Sequence, residues 1–229
     1  MHRILILSAL FCVSTDAASQ DWTAYINLTT DYVKRGVSQS DSHGAAQLGG
    51  EVAFDTGIYA GVWGSTADID NGPNRHRDKE VNVYAGYGRD ISPKLRLSAY
   101  VVSYNYPGQT GAIDYNYVEY TLSSNYDDRF WLEYSYSPDL YNSGFSTNNI
   151  EAIAELPLND ELRMSAGIGH YDTARLTGAT YTYWQLGITR ALRWADIDLR
   201  YHDTDRDVFI ISTPDRAEAR LVLSMMIAF

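Results

Sequence analysis

The side chains best suited to chemistry are four histidines, His43, His76, His170 and His202, set among many carboxylates. An imidazole beside a carboxylate could act as a general acid–base pair and activate water for hydrolysis. His202 is the best placed, with Asp203 and Asp205 close behind it. Acids near a histidine are common on any acidic loop surface, so hydrolysis is the weaker reading. The stretch from Asp68 to Gly72 has the alternating oxygen ligands of a calcium loop but lacks a bidentate Glu at the right distance, and no dedicated metal site is expected. Asn27-Leu28-Thr29 fits a glycosylation sequon but lies in a strand-like segment of bacterial type, where it reads as coincidence. The single cysteine, Cys12, lies in an N-terminal apolar run, and Phe11 before it argues against lipid attachment. None of these features implies a cofactor.

The elements that would have to position such residues alternate with a period of two. Trp22, Ala24, Ile26 and Leu28 alternate with polar residues, and the same pattern recurs at 48–54, 58–62, 81–87, 95–101, 118–122, 130–136, 150–156, 162–168, 184–188, 195–201 and 221–229. That is twelve strands, an even number, as single-chain bacterial outer-membrane barrels have. Short turns at 55–57, 89–94, 125–128, 157–160 and 190–194 interleave with mostly longer loops at 38–44, 66–78, 107–114, 138–145, 172–178 and 203–215. Short turns at one end and long loops at the other is the outer-membrane arrangement, with both termini on the periplasmic side. The apolar patch Val208–Ile211 falls in the last loop and could extend a strand beyond the membrane.

Charge separates a membrane barrel from a soluble one. The apolar face of the twelve strands carries no Asp, Glu, Lys or Arg. The opposite face carries Asp31, Glu51, Glu80, Glu119, Glu133, Glu151, Glu155, Asp196, Asp198 and Glu218 with Arg35, Arg96, Arg163, Arg200 and Arg220, a net of −5. Lys or Arg at the bilayer midplane costs about 2–4 kcal/mol, so exclusion from one face is what lipid contact requires. A soluble barrel would turn its apolar face inward, but strand number, aromatic placement and the C-terminus favour lipid. Trp22, Phe54, Tyr87, Phe130 and Phe229 gather at the periplasmic strand ends as a girdle would. The terminal aromatic Phe229, closing an alternating strand, reads as a signal to the barrel-assembly machinery.

Whole-chain numbers agree. The 229 residues include 19 Tyr and 5 Trp, types that favour strands and apolar–water boundaries. Mean hydropathy is −0.30, as expected where only alternate residues meet lipid. The net charge of −11 argues against nucleic acid as a partner. Arg3 and the apolar run Ile4–Val13 predict a signal peptide over residues 1–19, leaving 20–229 as a single cysteine-free domain without disulfides.

Several segments resemble the TorF family, a conserved proteobacterial family also catalogued as of unknown function. They are Asp31-Tyr-Val-Lys-Arg-Gly-Val-Ser-Gln-Ser-Asp41, Gly57–Ser65, Glu80–Tyr87, Tyr104–Gly108 and Tyr134–Asp139. The resemblance implies an outer-membrane barrel with a transport role and brings no substrate or catalytic residue. The last loop, over Val208–Asp215, looks longer than that family's.

The expectation is therefore an all-β, twelve-stranded antiparallel transmembrane barrel in the bacterial outer membrane. It would act as a porin for small hydrophilic solutes with a modest cation preference and no enzyme activity. The candidate lumen residues are Arg35, Glu51, Glu80, Arg96, Glu119, Glu133, Glu151, Arg163, Asp198, Arg200, Glu218 and Arg220, with outer-membrane lipid, the assembly machinery and small solutes as partners. Tyr100, Tyr104, Tyr181 and Tyr183 point inward and could narrow or plug the passage. The alternatives are a closed barrel with a structural, adhesive or receptor role and, less favoured, an omptin-like or lipase-like barrel enzyme. Gly61, Gly64, Gly86 and Gly88 fall within strands, where curvature or close packing against tyrosine is the expected reason.

Overall fold

The structure, a computed structural model, describes residues 21–68, 78–107, 114–206 and 214–229. The expected signal peptide, His76, the patch Val208–Ile211 and all but the first residue of the calcium-like stretch lie outside the described residues.

Twelve antiparallel strands close into one barrel. They are β1 (Asp21–Thr29), β4 (Ala45–Ala53), β5 (Ile58–Ala67), β6 (Asp78–Ser92), β7 (Leu95–Asn105), β8 (Tyr117–Tyr126), β9 (Phe130–Ser137), β10 (Thr147–Pro157), β11 (Leu162–Asp172), β12 (Thr180–Ala191), β13 (Asp196–Thr204) and β14 (Arg220–Ala228). Each pairs with its sequence neighbour in the wall, and β14 returns to β1 with Ile26 opposite Ile227 and Leu28 opposite Met225. Phe229 extends the seam, its N–H donating to the Ala24 carbonyl at 2.8 Å. Closure leaves no strand edge unpaired, which is how an apolar environment tolerates a sheet.

The period-two pattern settles which face is which. Leu48, Val83, Leu122, Leu132, Ile168, Leu186 and Leu221 are exposed on the outside, while Glu51, Glu80, Glu119, Arg163, Asp198 and Arg200 are buried inside. Within the strands, outward charges occur near the ends, as at Lys79 by the loops and Arg89 and Arg190 by the turns. Exposed aromatics form two belts: Trp22, Phe54, Tyr87, Phe130 and Phe229 at the turn end, and Tyr120, Tyr134, Tyr136 and Tyr201 toward the loop end.

Several boundaries differ from the sequence reading. β6 runs on to Ser92, past a register shift at Asp90/Ser92, through residues read as a turn. β1 stops at Thr29, so Asp31 and Arg35 are not part of a barrel strand. Residues 30–44 instead fold into the barrel, forming a short hairpin of β2 (Val33–Lys34) and β3 (Val37–Ser38). Its two-residue turn, Arg35-Gly36, has φ of +51° and +78°. Positive φ at both central residues is the type I′ pattern, whose twist matches that of a hairpin.

Candidate functional site: the lumen and its inner hairpin

The hairpin crosses the lumen. It leaves the wall between β1 and β4, and its turn packs against β12 and β13, where a Cβ on Gly36 would lie 2.5 Å from Thr204 Cγ2 and 2.8 Å from Tyr183 Cβ. Glycine is thus required there twice, for the backbone angle and for the space.

Two cations at the tip hold it in place. Arg35 donates through both terminal nitrogens to the two Glu119 oxygens, each at 2.9 Å, and its guanidinium carbon lies 4.6 Å from the Tyr171 ring centre. Lys34 Nζ donates to Tyr117 Oη at 2.8 Å and sits 3.6 Å from the centre of the Tyr104 ring, which stacks on Tyr117 at 4.4 Å. Burial within the barrel lowers the Lys34 pKa to about 8, with Glu80 and Glu119 pulling it up. At the base, Asp31 accepts from Ser38 at 2.6 Å, from Ser40 at 2.8 Å and from Arg220 at 2.7 Å.

Above the hairpin, toward the loops, lies an apolar cluster of Val37, Ala67, Tyr106, Tyr117, Leu140, Tyr171, Tyr181, Tyr183 and Ala217. Tyr141, from the β9–β10 loop, sets its edge against Tyr106, Tyr115 and Tyr117. The loop end of the barrel is therefore packed like a small protein core. Below the hairpin is a chamber of about 200 Å³, reaching down to Thr23 near the turn end of β1. Glu51, Glu133, Glu151, Asp198 and Arg200 line it with Tyr59, Trp63, Tyr84, Tyr100 and Tyr104.

The wall charges form a few networks. Asp198 and Arg200 pair at 2.9 Å, Arg200 donates to Gln185 at 3.3 Å, and Gln185 donates to Glu151 at 3.2 Å. Lower down, Arg163 lies 2.7 Å from Asp196 and 3.3 Å from Glu155. Glu133 accepts from Tyr100 at 2.8 Å, Glu51 from Tyr84 at 3.0 Å, and Glu80 from Asn82 at 2.7 Å and Tyr32 at 3.2 Å.

Of the residues singled out in the sequence, Glu51, Glu80, Glu119, Glu133, Glu151, Arg163, Asp198 and Arg200 take inward positions on barrel strands. Arg96 sits at the turn end of β7, paired with Asp90 at 3.1 Å, and Arg220 opens β14. Two assignments need correction. Arg35 reaches the lumen from the hairpin and not from the wall, because its positive φ ends any strand there. Glu218 is exposed and precedes β14, following a 3₁₀ turn over Pro214–Ala217 that carries it out of the strand register. Phe229 lies just past β14 and is 74% exposed. Of the four glycines, Gly61 and Gly86 lie under tyrosine rings and Gly88 under Arg96, whereas Gly64 faces out with ordinary clearance.

Sequence reasoning missed Lys34, Tyr32 and Arg216. The available signal was Arg-Gly between Val-Lys and Val-Ser, a two-residue turn flanked by short extended pairs. Arg216 lies 3.2 Å from Asp41 and 3.9 Å from Asp68 and also donates to the Asp68 carbonyl, clamping the first loop to the last. Asp41, His43 and Asp68 could offer ligand atoms within 4.8 Å of one another, but that buried guanidinium already supplies the positive charge a metal would bring.

Nor do the histidines assemble a hydrolytic site among the described residues. His202 faces the chamber, while Asp203 accepts from Tyr201 at 3.0 Å and Asp205 from the Thr182 N–H at 2.9 Å. His170 faces outward beside Thr182 at 3.2 Å.

Residues 14–227 match a family described as bacterial protein of unknown function, Gcw_chp. No curated protein matches the chain. Among solved structures the barrel is similar to the KdgM porin in complex with disordered oligogalacturonate, at 8% identity and a TM-score of 0.58, covering 91% of this chain and 99% of that one. It is also similar to the NanC porin, at 11% identity and a TM-score of 0.55 over 91% and 99% of the two chains. A variant of the TodX monoaromatic hydrocarbon channel aligns at 9% identity and a TM-score of 0.52, over 93% and 89%. At such identities the likeness is one of fold alone. None of these matches carries the TorF name.

Proposed function

We propose that this chain, which belongs to the Gcw_chp family of bacterial proteins of unknown function, is an outer-membrane porin. It passes small hydrophilic solutes with a modest preference for cations, and the β2–β3 hairpin sets the constriction. The observation that carries this reading is the division of the lumen into an open chamber lined by charged and tyrosine side chains and a loop-end plug built on a hairpin from between β1 and β4. A barrel needing only rigidity could fill its interior throughout. This one keeps charged, hydrogen-bonding walls around open space.

The charge balance supports the cation preference. Arg35, Arg200 and Arg220 each pair with an acid, and Arg163 lies between two. Glu80 and Glu133 accept from neutral groups, so the lining keeps an acidic excess. Low-dielectric walls focus such a field and concentrate counter-ions. KdgM was solved with an oligogalacturonate, a polyanion that an acidic lumen would repel, and a different solute class is proposed here.

The outward apolar face and its two aromatic belts support the membrane location. The exposed Phe229 at the seam suits a contact with the assembly machinery, and its deletion should lower the protein's level in the outer membrane. The porin reading is tested by planar-bilayer recording of the purified protein, where discrete, ohmic conductance steps are expected. A silent bilayer would favour a closed barrel with a receptor or structural role, the reading to which the tyrosine-rich plug lends weight.

A further inference from the structure

We propose that the chamber beneath the hairpin is a binding site for an uncharged monosaccharide, which lays its C–H face on a wall of tyrosine rings and turns its hydroxyls to the polar wall opposite. This names the solute class of the porin reading and rests on it, since the sugar would reach the chamber through the barrel.

The tyrosine wall is built by a repeated pairing. Tyr25 on β1 stands directly across from Gly49 on β4, Tyr59 on β5 from Gly86 on β6, and Tyr84 on β6 from Gly61 on β5. In each pair the ring lies over the glycine. A Cβ on Gly49 would come within 2.5 Å of Tyr25 Cε1 and one on Gly86 within 2.6 Å of Tyr59 Cζ, and the Tyr84 hydroxyl fills the same space at Gly61. Any larger residue would push these rings off the wall and into the chamber. All three rings line it, and Tyr25 and Tyr59 are only half-buried, so part of each stays open to the chamber. Where such a pair serves packing alone the ring is covered: Tyr183, over Gly169, belongs to the plug and is 3% exposed.

The opposite wall is polar. In the closed order of twelve strands, β5 and β6 face β11 and β12. From β10, β12 and β13 come Glu151, Gln185 and Arg200, joined in that order by hydrogen bonds of 3.2 and 3.3 Å. Glu151 and its neighbour Glu133 are half-buried and line the chamber, with surface left toward it. Hydroxyl groups both donate and accept, so they suit this wall whether the acids are ionised or protonated.

Size and chemistry select the occupant. A cavity of about 150 Å³ takes benzene, and this chamber of about 200 Å³ has room for one six-membered ring with its substituents. A plain aromatic ring would match the tyrosines and leave the polar wall unpaired, which is costly. An acidic sugar would meet the carboxylates and be repelled. An uncharged sugar satisfies both walls, because its ring C–H groups are weakly positive and suit the negative face of an aromatic ring.

The test is isothermal titration calorimetry on the full-length protein in a polyoxyethylene detergent, which carries no sugar. The probes are the methyl glycosides of glucose, galactose and mannose, beside glucuronate and benzyl alcohol. At least one glycoside should bind, with one site per chain. Its affinity should fall at least about tenfold, or 1.4 kcal/mol, in Tyr59→Ala. It should survive in Tyr59→Phe, which keeps the ring, and be unchanged in Tyr134→Ala, on the outer face. If Tyr59→Ala fails the heat-modifiability check for a folded barrel, Glu151→Leu is measured and should weaken binding in the same direction. The proposal is overturned if no glycoside gives saturable heat, if glucuronate or benzyl alcohol binds as tightly, or if the variant measured binds the glycoside as the native chain does. Binding without bilayer conductance would leave the site standing and remove the porin reading. Conductance without binding would do the opposite.

Discussion

Arg35 and Glu119 meet through two hydrogen bonds of 2.9 Å, one on each oxygen of the carboxylate, and so join the tip of an inward hairpin to the opposite wall of the barrel. Both side chains are more than nine-tenths buried. The pair does no work for the barrel ladder, which closes through its own backbone bonds. Its role is to keep the hairpin across the lumen.

Replacing Arg35 by Ala leaves Glu119 buried without its partner, a loss worth about 3–5 kcal/mol for an ion pair of this kind. That cost falls on the hairpin seat, so the barrel should assemble while the hairpin loosens. Single-channel conductance should rise severalfold. Gly36→Val should act alike by another route, through a forbidden φ and a clash with Thr204. Native conductance in both variants would mean that the hairpin is not the constriction.

Lys34 makes the passage sensitive to pH. Its pKa, lowered to about 8 by burial, puts loss of its charge within the working range of a bilayer experiment. Glu80, Glu119, Glu133 and Arg35 surround it, so its deprotonation makes the net lumen charge more negative. Cation preference should therefore increase between pH 7 and pH 9, and the increase should be smaller in Lys34→Met. The folded chain sheds this proton near pH 8 and the unfolded chain only near 10.5, so the Lys34 contribution to stability rises between those values. A reversal potential that shifts equally in Lys34→Met would assign the titration to another group.

The two faces of the wall are open to a direct chemical test, because the sequence has one cysteine, Cys12, within the expected signal peptide. Glu133→Cys should react with a water-soluble maleimide in membranes, and Leu132→Cys, 49% exposed on the apolar face, should not. The reverse pattern would invert the barrel and make it a soluble one.

Much of this was legible in the sequence because of one physical regularity. Side chains alternate along a strand, so Leu132 and Glu133, or Val83 and Tyr84, report the two faces by their chemistry alone. The same rule failed at Asp31–Ser38, where Val33, Arg35 and Val37 also alternate. There the alternation belongs to a two-residue hairpin that folds inward, and only the positive φ at Arg35 and Gly36 separates the two cases. Glu218 failed for a related reason, since a 3₁₀ turn interrupts the register just before β14. The chamber was not legible at all. It depends on which walls face each other across a closed ring, and alternation says only in or out.

The most direct test of the central claim is the reversal potential across a planar bilayer in a tenfold gradient of potassium chloride at pH 7. A conducting, acidic lumen should give a potential of the sign set by potassium, well short of the ideal cation value because most inward arginines remain in place. The preference should weaken when Glu133 and Glu151 are both replaced by Gln. A potential of the opposite sign, set by chloride, would contradict the account.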